Sequence, residues 1–206
     1  MSAGVFLEAG AALDALLRER KAIVRASWPA AAYLEHPPHC TLIAGAFAPV
    51  ERWLASLGAA LGGFAPFELT AAGTECFAND PLTGGTTVAI GVRASPALGA
   101  LQTCVAQALA PWRDVAAAER LAASLADARA AESARAFGAA WVGAHWRPHF
   151  TVASLPVPVA DLPETLLAPV AAMTVTVRAV TVWRIAGDAH ERVAELPLGA
   201  ARGSGR

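Results

Sequence analysis

The pattern Pro-His-x-Thr-aliphatic occurs twice, as Pro38-His39-Cys40-Thr41-Leu42 and as Pro148-His149-Phe150-Thr151-Val152, with the two histidines 110 positions apart. Two copies of so specific a pattern are improbable by chance in a chain of ordinary composition, and they predict two similar halves. Each copy enters a strand-like run, where side chains alternate between faces. His39 and Thr41 therefore share one face, with Cys40 and Leu42 on the other; His149 and Thr151 likewise oppose Phe150 and Val152. A fold that brings the two polar faces together gathers two imidazoles and two hydroxyls around one small space.

The rest of the chain supplies material for such a fold. Residues 5–20 read as a helix with its apolar side at Leu7, Leu13, Leu16 and Leu17, followed by a short strand over 22–26. A strand over 39–44 precedes a helix over 50–61, closed by Gly62 and Gly63. Runs 67–77 and 86–92 read as a hairpin joined by a turn with Asn79, Asp80, Pro81, Gly84 and Gly85. Pro96 opens a helix to residue 110 with Leu98, Leu101, Val105 and Leu109 on one stripe. The alanine-rich stretch 114–136 reads as one helix. Strands over 150–154, 174–185 and 191–196, a short helix over 161–171 and a frayed tail from Gly199 to Arg206 complete the chain. Helices alternating with strands predict an α+β or α/β domain built from two similar halves.

Composition narrows the partners. The 206 residues carry sixteen Lys and Arg against seventeen Asp and Glu, a net charge of −1. No global basic field draws in duplex DNA or an anionic membrane, so any contact with nucleic acid is local. Lys21 is the only lysine, so the other fixed cations are guanidinium forks suited to phosphate. Cys40, Cys76 and Cys104 are odd in number and widely spaced, which fits small buried residues in a reducing compartment rather than disulfides or a zinc ribbon. Glu8, Asp14, Arg18, Arg20 and Lys21 fall in the wrong order for a signal peptide. The uncharged run 94–112 contains Pro96 and Pro111, and a helix between them spans roughly 20 Å, short of the ~30 Å bilayer core. A cytoplasmic location is expected.

Two imidazoles and two hydroxyls suit phosphodiester cleavage. One imidazole takes a proton from the attacking oxygen and the other protonates the leaving oxygen, both titrating near working pH. The Thr41 and Thr151 hydroxyls can donate to non-bridging phosphate oxygens without adding charge. With these motifs, the chain resembles the two-histidine (2H) phosphoesterases, which include the bacterial RNA 2′,3′-cyclic phosphodiesterases historically called 2′-5′ RNA ligases. The run MTVTVRAVTVWRI followed by ERVAELPLG is similar to that family's last two strands. The resemblance covers nearly the whole chain. It implies a duplicated two-lobed α+β fold, with antiparallel sheets flanking a central cleft and helices outside, as a single domain over 1–206. The stretch 114–136 departs from the family as a helical insertion before the second motif. The resemblance also implies metal-independent opening of 2′,3′-cyclic or related phosphodiesters of RNA ends or small nucleotides, with His39 and His149 catalytic, Thr41 and Thr151 holding the phosphate, no cofactor, and a monomer.

Other readings of the same residues stay open. Arg147 can reach a phosphate with its fork or lie over the sheet. Tyr33, Trp146 and Trp183 are candidates to stack on a base or to fill the core, and Arg184 is a candidate for the cleft rim. His36 with His39, and His145 with His149, allow a zinc site if four imidazoles meet. A third alternative is an RNA-end or nucleotide binding module without turnover.

Overall fold

Strand pairing in this chain follows from where buried side chains alternate and where they do not. The computed structural model describes residues 2–186 and 189–199. Its strands are β1 (Ser2–Glu8), β2 (His39–Ala46), β3 (Phe67–Phe77), β4 (Thr86–Val92), β5 (His149–Leu155), β6 (Met173–Val177), β7 (Ala179–Ala186) and β8 (Ala189–Pro197). The helices are α1 (Gly10–Ser27), α2 (Leu54–Leu61), α3 (Pro96–Leu109), α4 (Val115–Ser124), α5 (Ala128–Phe137) and α6 (Glu164–Leu167). None of them is long and apolar enough to cross a membrane.

The described strands form one sheet in the order β6-β3-β4-β5-β2-β1-β7-β8, and every neighbouring pair is antiparallel. It consists of two four-stranded halves that meet through the pair Cys40–Phe150. The two sheets expected from the sequence thus join edge to edge at the motifs. Each half repeats one unit: β1–α1–β2 in one, and β4–α3–β5 in the other, with α4 and α5 inserted before β5. The helices cross over: α1, which leads into β2, packs on β5, whereas α3 packs on β2. Alternation then separates the faces. Cys40, Leu42, Phe150 and Val152 are buried in one core with Leu13 and Leu17 of α1 and Leu101 and Val105 of α3. His39, Thr41, His149 and Thr151 lie on the face away from those helices, half-buried.

Several elements differ from the sequence reading, each for a physical reason. Residues 2–8 form a strand, and the helix starts only at Gly10, whose φ of +68° turns the chain. β1 is central in its half and buried along Ala3–Leu7, so it lacks the alternation that marks a strand. Residues 22–26 continue α1, because Val24 extends the buried stripe of Leu13 and Leu17. The single helix read over 114–136 is two: Asp114 caps α4 by accepting from the Ala117 N–H, and Asp127 caps α5 by accepting from the Ala130 N–H. The helix read over 161–171 shortens to α6 after Pro163. The long strand read over 174–185 is interrupted at Arg178, and its two parts pair in opposite halves, β6 with β3 and β7 with β1. One residue between them spans only a few ångströms, so the sheet curls until the edge of one half approaches the other. Of the tail read as frayed, only Gly199 lies among the described residues.

Candidate active site

The site is built where the strands of the two halves pair, at Cys40 and Phe150. Because Cys40 stands opposite Phe150 in an antiparallel pair, His39 falls across from Thr151 and Thr41 across from His149. All four side chains share the face opposite the buried Cys40 and Phe150. The sheet therefore brings the two motifs together, and the prolines before them set the backbone that orients each ring. Nδ1 of His39 lies 2.6 Å from the Pro37 carbonyl, and Nδ1 of His149 lies 2.7 Å from the Arg147 carbonyl. A carbonyl only accepts, so both rings carry a proton on Nδ1 and are left with Nε2 for chemistry. Neutral, Nε2 takes a proton; charged, it gives one.

Each ring also rests on a phenylalanine. The Phe6 ring is 4.3 Å from His39 and tilted, and the Phe77 ring is 4.9 Å from His149 and tilted. Phe6 fits because residue 4 is glycine: a Cβ there would stand 2.2 Å from Phe6 Cζ. Burial disfavours the charged imidazole at both sites. His39 is pushed down to about 4, chiefly by burial, with the neighbouring His36, His190 and Lys21 adding to the effect and the Pro37 carbonyl opposing it. His149 is lowered as well, again chiefly by burial; the Arg147 carbonyl, Glu75 and Asp80 oppose that and the Arg147 guanidinium adds to it.

The surroundings of His149 are assembled from β3 and β4. Gly91 pairs with His149, and the Glu75 carboxylate occupies the space over it, its Oε1 2.4 Å from where a Cβ would be. Glu75 Oε2 accepts from Arg147 Nη2 at 3.1 Å, and the Arg147 guanidinium lies 4.6 Å from the Phe77 ring centre. Arg147 is thus beside His149, ion-paired and exposed. On the other side, the loop before β2 is held by Lys21, whose buried ammonium donates to the carbonyls of Tyr33 (2.6 Å) and Leu34 (3.3 Å). That loop also pairs with β5 through Ala32 and Ser154. Tyr33 has a φ of 65°, its ring is 5.3 Å from that of His36, and burial and Asp80 push its hydroxyl's pKa up. Glu75, Phe77, Phe6 and His190 escaped the sequence reading, because their proximity to the histidines depends on pairing between distant strands.

Other candidates are placed elsewhere or differently. Trp146 donates from its indole to the Thr41 carbonyl at 3.0 Å and packs against the core, so it supports β2 from below. Trp183 donates to Thr181 Oγ1 and borders a cavity of about 330 Å³ with His39, Glu8 and Pro38. Arg184 is paired with Glu51 and Glu191, and alternation puts it on the opposite face from Trp183. The four imidazoles of the zinc reading do not gather: His36 is 6.4 Å from His39 ring to ring, while His145 is exposed beside Asp127. Among the described residues no three His, Cys, Asp or Glu side chains are arranged to hold a metal. Cys40 is buried and its thiol is pushed up to about 12 by that burial; Cys76 and Cys104 are half-buried and shifted the same way.

A family model described as the 2′-5′ RNA ligase superfamily matches residues 12–189. The fold is similar to that of the Thermus thermophilus protein TT0787, at 20% identity over 97% of this chain and 98% of that one, with a TM-score of 0.64. It is also similar to a crystal structure described as a phosphoesterase, at 15% identity, 95% and 97% coverage and a TM-score of 0.56. Escherichia coli LigT complexed with 3′-AMP aligns at 16% identity, 95% and 97% coverage and a TM-score of 0.56. At these identities the likeness concerns the fold. No curated protein matches the sequence.

Proposed function

This chain belongs to the 2′-5′ RNA ligase superfamily, and on that premise we propose that it is a metal-independent phosphodiesterase opening 2′,3′-cyclic or related cyclic phosphodiesters at RNA ends or on small nucleotides. The observation that carries the reading is the Cys40–Phe150 pairing, which sets two imidazoles with tied Nδ1 atoms and two threonine hydroxyls on one face. Water attacks phosphorus and gives its proton to one Nε2. The phosphorus–ribose oxygen bond breaks, and that oxygen takes a proton from the other Nε2. Thr41 and Thr151 donate to the non-bridging oxygens, and Arg147 offers its fork to a neighbouring oxygen. A nucleotide substrate is supported by the 3′-AMP and ATP complexes of the E. coli relative. The chain's net charge of −1 favours a small or single-stranded ligand over duplex.

The test is turnover of 2′,3′-cyclic mononucleotides and of oligonucleotides ending in a cyclic phosphate, with a chelator present. Activity is expected to survive the chelator, and His39→Ala and His149→Ala are each expected to lose about 10²–10⁴-fold. Near-full turnover by either variant, or loss of wild-type activity in chelator, contradicts the reading.

A further inference from the structure

A groove leads away from His39 along α1. Asp14, Arg18, Lys21 and Arg25 recur every three or four residues and so share one face of that helix, and this face looks onto the loop that ends at Pro38. Two cavities lie between helix and loop. The outer one, of about 330 Å³, has His39, Trp183, Glu8 and Asp14 in its lining; the inner one, of about 320 Å³, has Lys21, Arg25, Glu35 and His36, and the two adjoin at Arg18, Pro37 and Pro38. Between Arg18 and Arg25 the helix rises about 10 Å, so the inner cavity lies well beyond the reach of a phosphate held at the motifs.

Charge changes along the groove. At its mouth the carboxylates of Glu8 and Asp14 are ion-paired with Arg192 and Arg18. Further in, Arg18, Lys21 and Arg25 face one carboxylate, that of Glu35, in a chain whose net charge is −1. The Lys21 ammonium is fixed in the wall by the Tyr33 and Leu34 carbonyls. Arg18 and Arg25 are exposed, and their pairs with Asp14 and Glu35 engage only part of the five N–H donors that a guanidinium carries. Exposed pairs of this kind contribute little and exchange readily for another oxyanion. The facing wall is held in place: the Pro37 carbonyl meets the His39 ring, Ala32 pairs with Ser154, and the Tyr33 hydroxyl donates to Asp80. The groove is thus largely formed before anything enters it.

We propose that this groove carries the 5′ side of an RNA strand whose 3′ end bears the cyclic phosphate: the terminal nucleoside lies in the outer cavity against Trp183, and Arg18 and Arg25 hold the phosphodiesters that follow. This rests on the phosphodiesterase reading and names its substrate, an RNA end of several nucleotides rather than a cyclic mononucleotide. It also locates the local cationic contact that a chain without a global basic field needs for nucleic acid.

The experiment pairs binding with turnover. Binding is read by fluorescence anisotropy of a short oligoribonucleotide labelled at its 5′ end and ending in a 2′-phosphate, over a range of salt concentrations. Turnover is read as the ratio of kcat/KM on the same oligomer ending in a 2′,3′-cyclic phosphate to kcat/KM on the cyclic mononucleotide. The oligomer is expected to be preferred, chiefly through KM. Arg18→Gln and Arg25→Gln are each expected to weaken oligomer binding roughly 3- to 10-fold, to flatten the dependence of log K on log salt by about 0.7, and to narrow the turnover ratio. Trp183→Leu is expected to raise KM for both substrates. Absence of an oligomer preference, or a ratio and salt slope that stay fixed in both arginine variants, overturns the inference. So does an equal loss in Arg129→Gln, an exposed cation on α5, which would show general attraction, or displacement of the oligomer by ATP as effective as by unlabelled oligomer, which would show a polyphosphate site. Arginine-dependent binding without turnover of either substrate refutes the phosphodiesterase reading alone, whereas turnover of both without preference refutes this inference alone.

Discussion

Thr41 and Thr151 are half-buried, stand across from the opposite motif's histidine and sit in strands whose stability lies on the other face, so their hydroxyls can be removed at little structural cost. Thr41→Val and Thr151→Val are each expected to lower kcat/KM about 10- to 100-fold, a loss of one hydrogen bond to a charged oxygen, with a urea midpoint near that of the wild type. The histidines link activity to stability through pH. Burial pushes His39 down to about 4, so the unfolded chain binds more protons as pH falls below the ordinary imidazole value of about 6.5. The stability gained by keeping His39 neutral is complete above about pH 6.5 and is lost as pH falls toward 4. Urea midpoints measured at pH 7.5 and pH 4.5 are expected to differ less in His39→Gln than in the wild type; an equal difference argues against the buried neutral ring. At this scale the histidines and threonines stood out in the sequence as candidates because one five-residue pattern occurs twice, 110 positions apart. Glu75 and Phe77 carried no such local mark. What assigns them to His149 is a glycine one strand away and a ladder formed by residues more than fifty positions apart.

Among the elements, those with strong end signals were legible. α3 follows Ser95 and Pro96, and the Ser95 hydroxyl accepts from the Leu98 N–H. β1 was misread because burial on both faces hides the period of two, and the α4–α5 break was missed because Asp127 looks like one more charge on an alanine helix until its carboxylate is seen capping. This hairpin docks on β2 by backbone contact: Gly138 ends α5 at a φ of 75°, and its carbonyl would lie 2.3 Å from a Cβ at Gly45. A main-chain carbonyl cannot swing aside, so Gly45→Ala is expected to cost about 1–3 kcal/mol in denaturant unfolding. Asp127→Ala is expected to cost about 1 kcal/mol through the lost cap, with turnover unchanged; a large loss of turnover would show that the insertion reaches the reacting groups.

For the molecule as a whole, the repeat announced two halves, but the manner of their joining was beyond the reach of pattern. It depends on helices that cross to the opposite half and on a strand that changes halves at Arg178. Arg20 reinforces the join. From α1 its guanidinium donates to Thr74 Oγ1 at 2.9 Å, the Leu166 carbonyl at 2.7 Å and the Ala168 carbonyl at 2.6 Å, all near the far half. Arg20→Met strands these acceptors and is expected to cost about 2 kcal/mol in a single unfolding transition; two separated transitions would mean that the halves fold independently. The proposed chemistry requires the same relation between halves, since in it one phosphorus is served from both motifs. The most direct measurement is a crystal structure of the protein with a nucleoside 2′-phosphate. The phosphate is expected within hydrogen-bond distance of Nε2 on both His39 and His149 and of the Thr41 and Thr151 hydroxyls, whereas a phosphate bound elsewhere, or held by only one motif, contradicts a shared site.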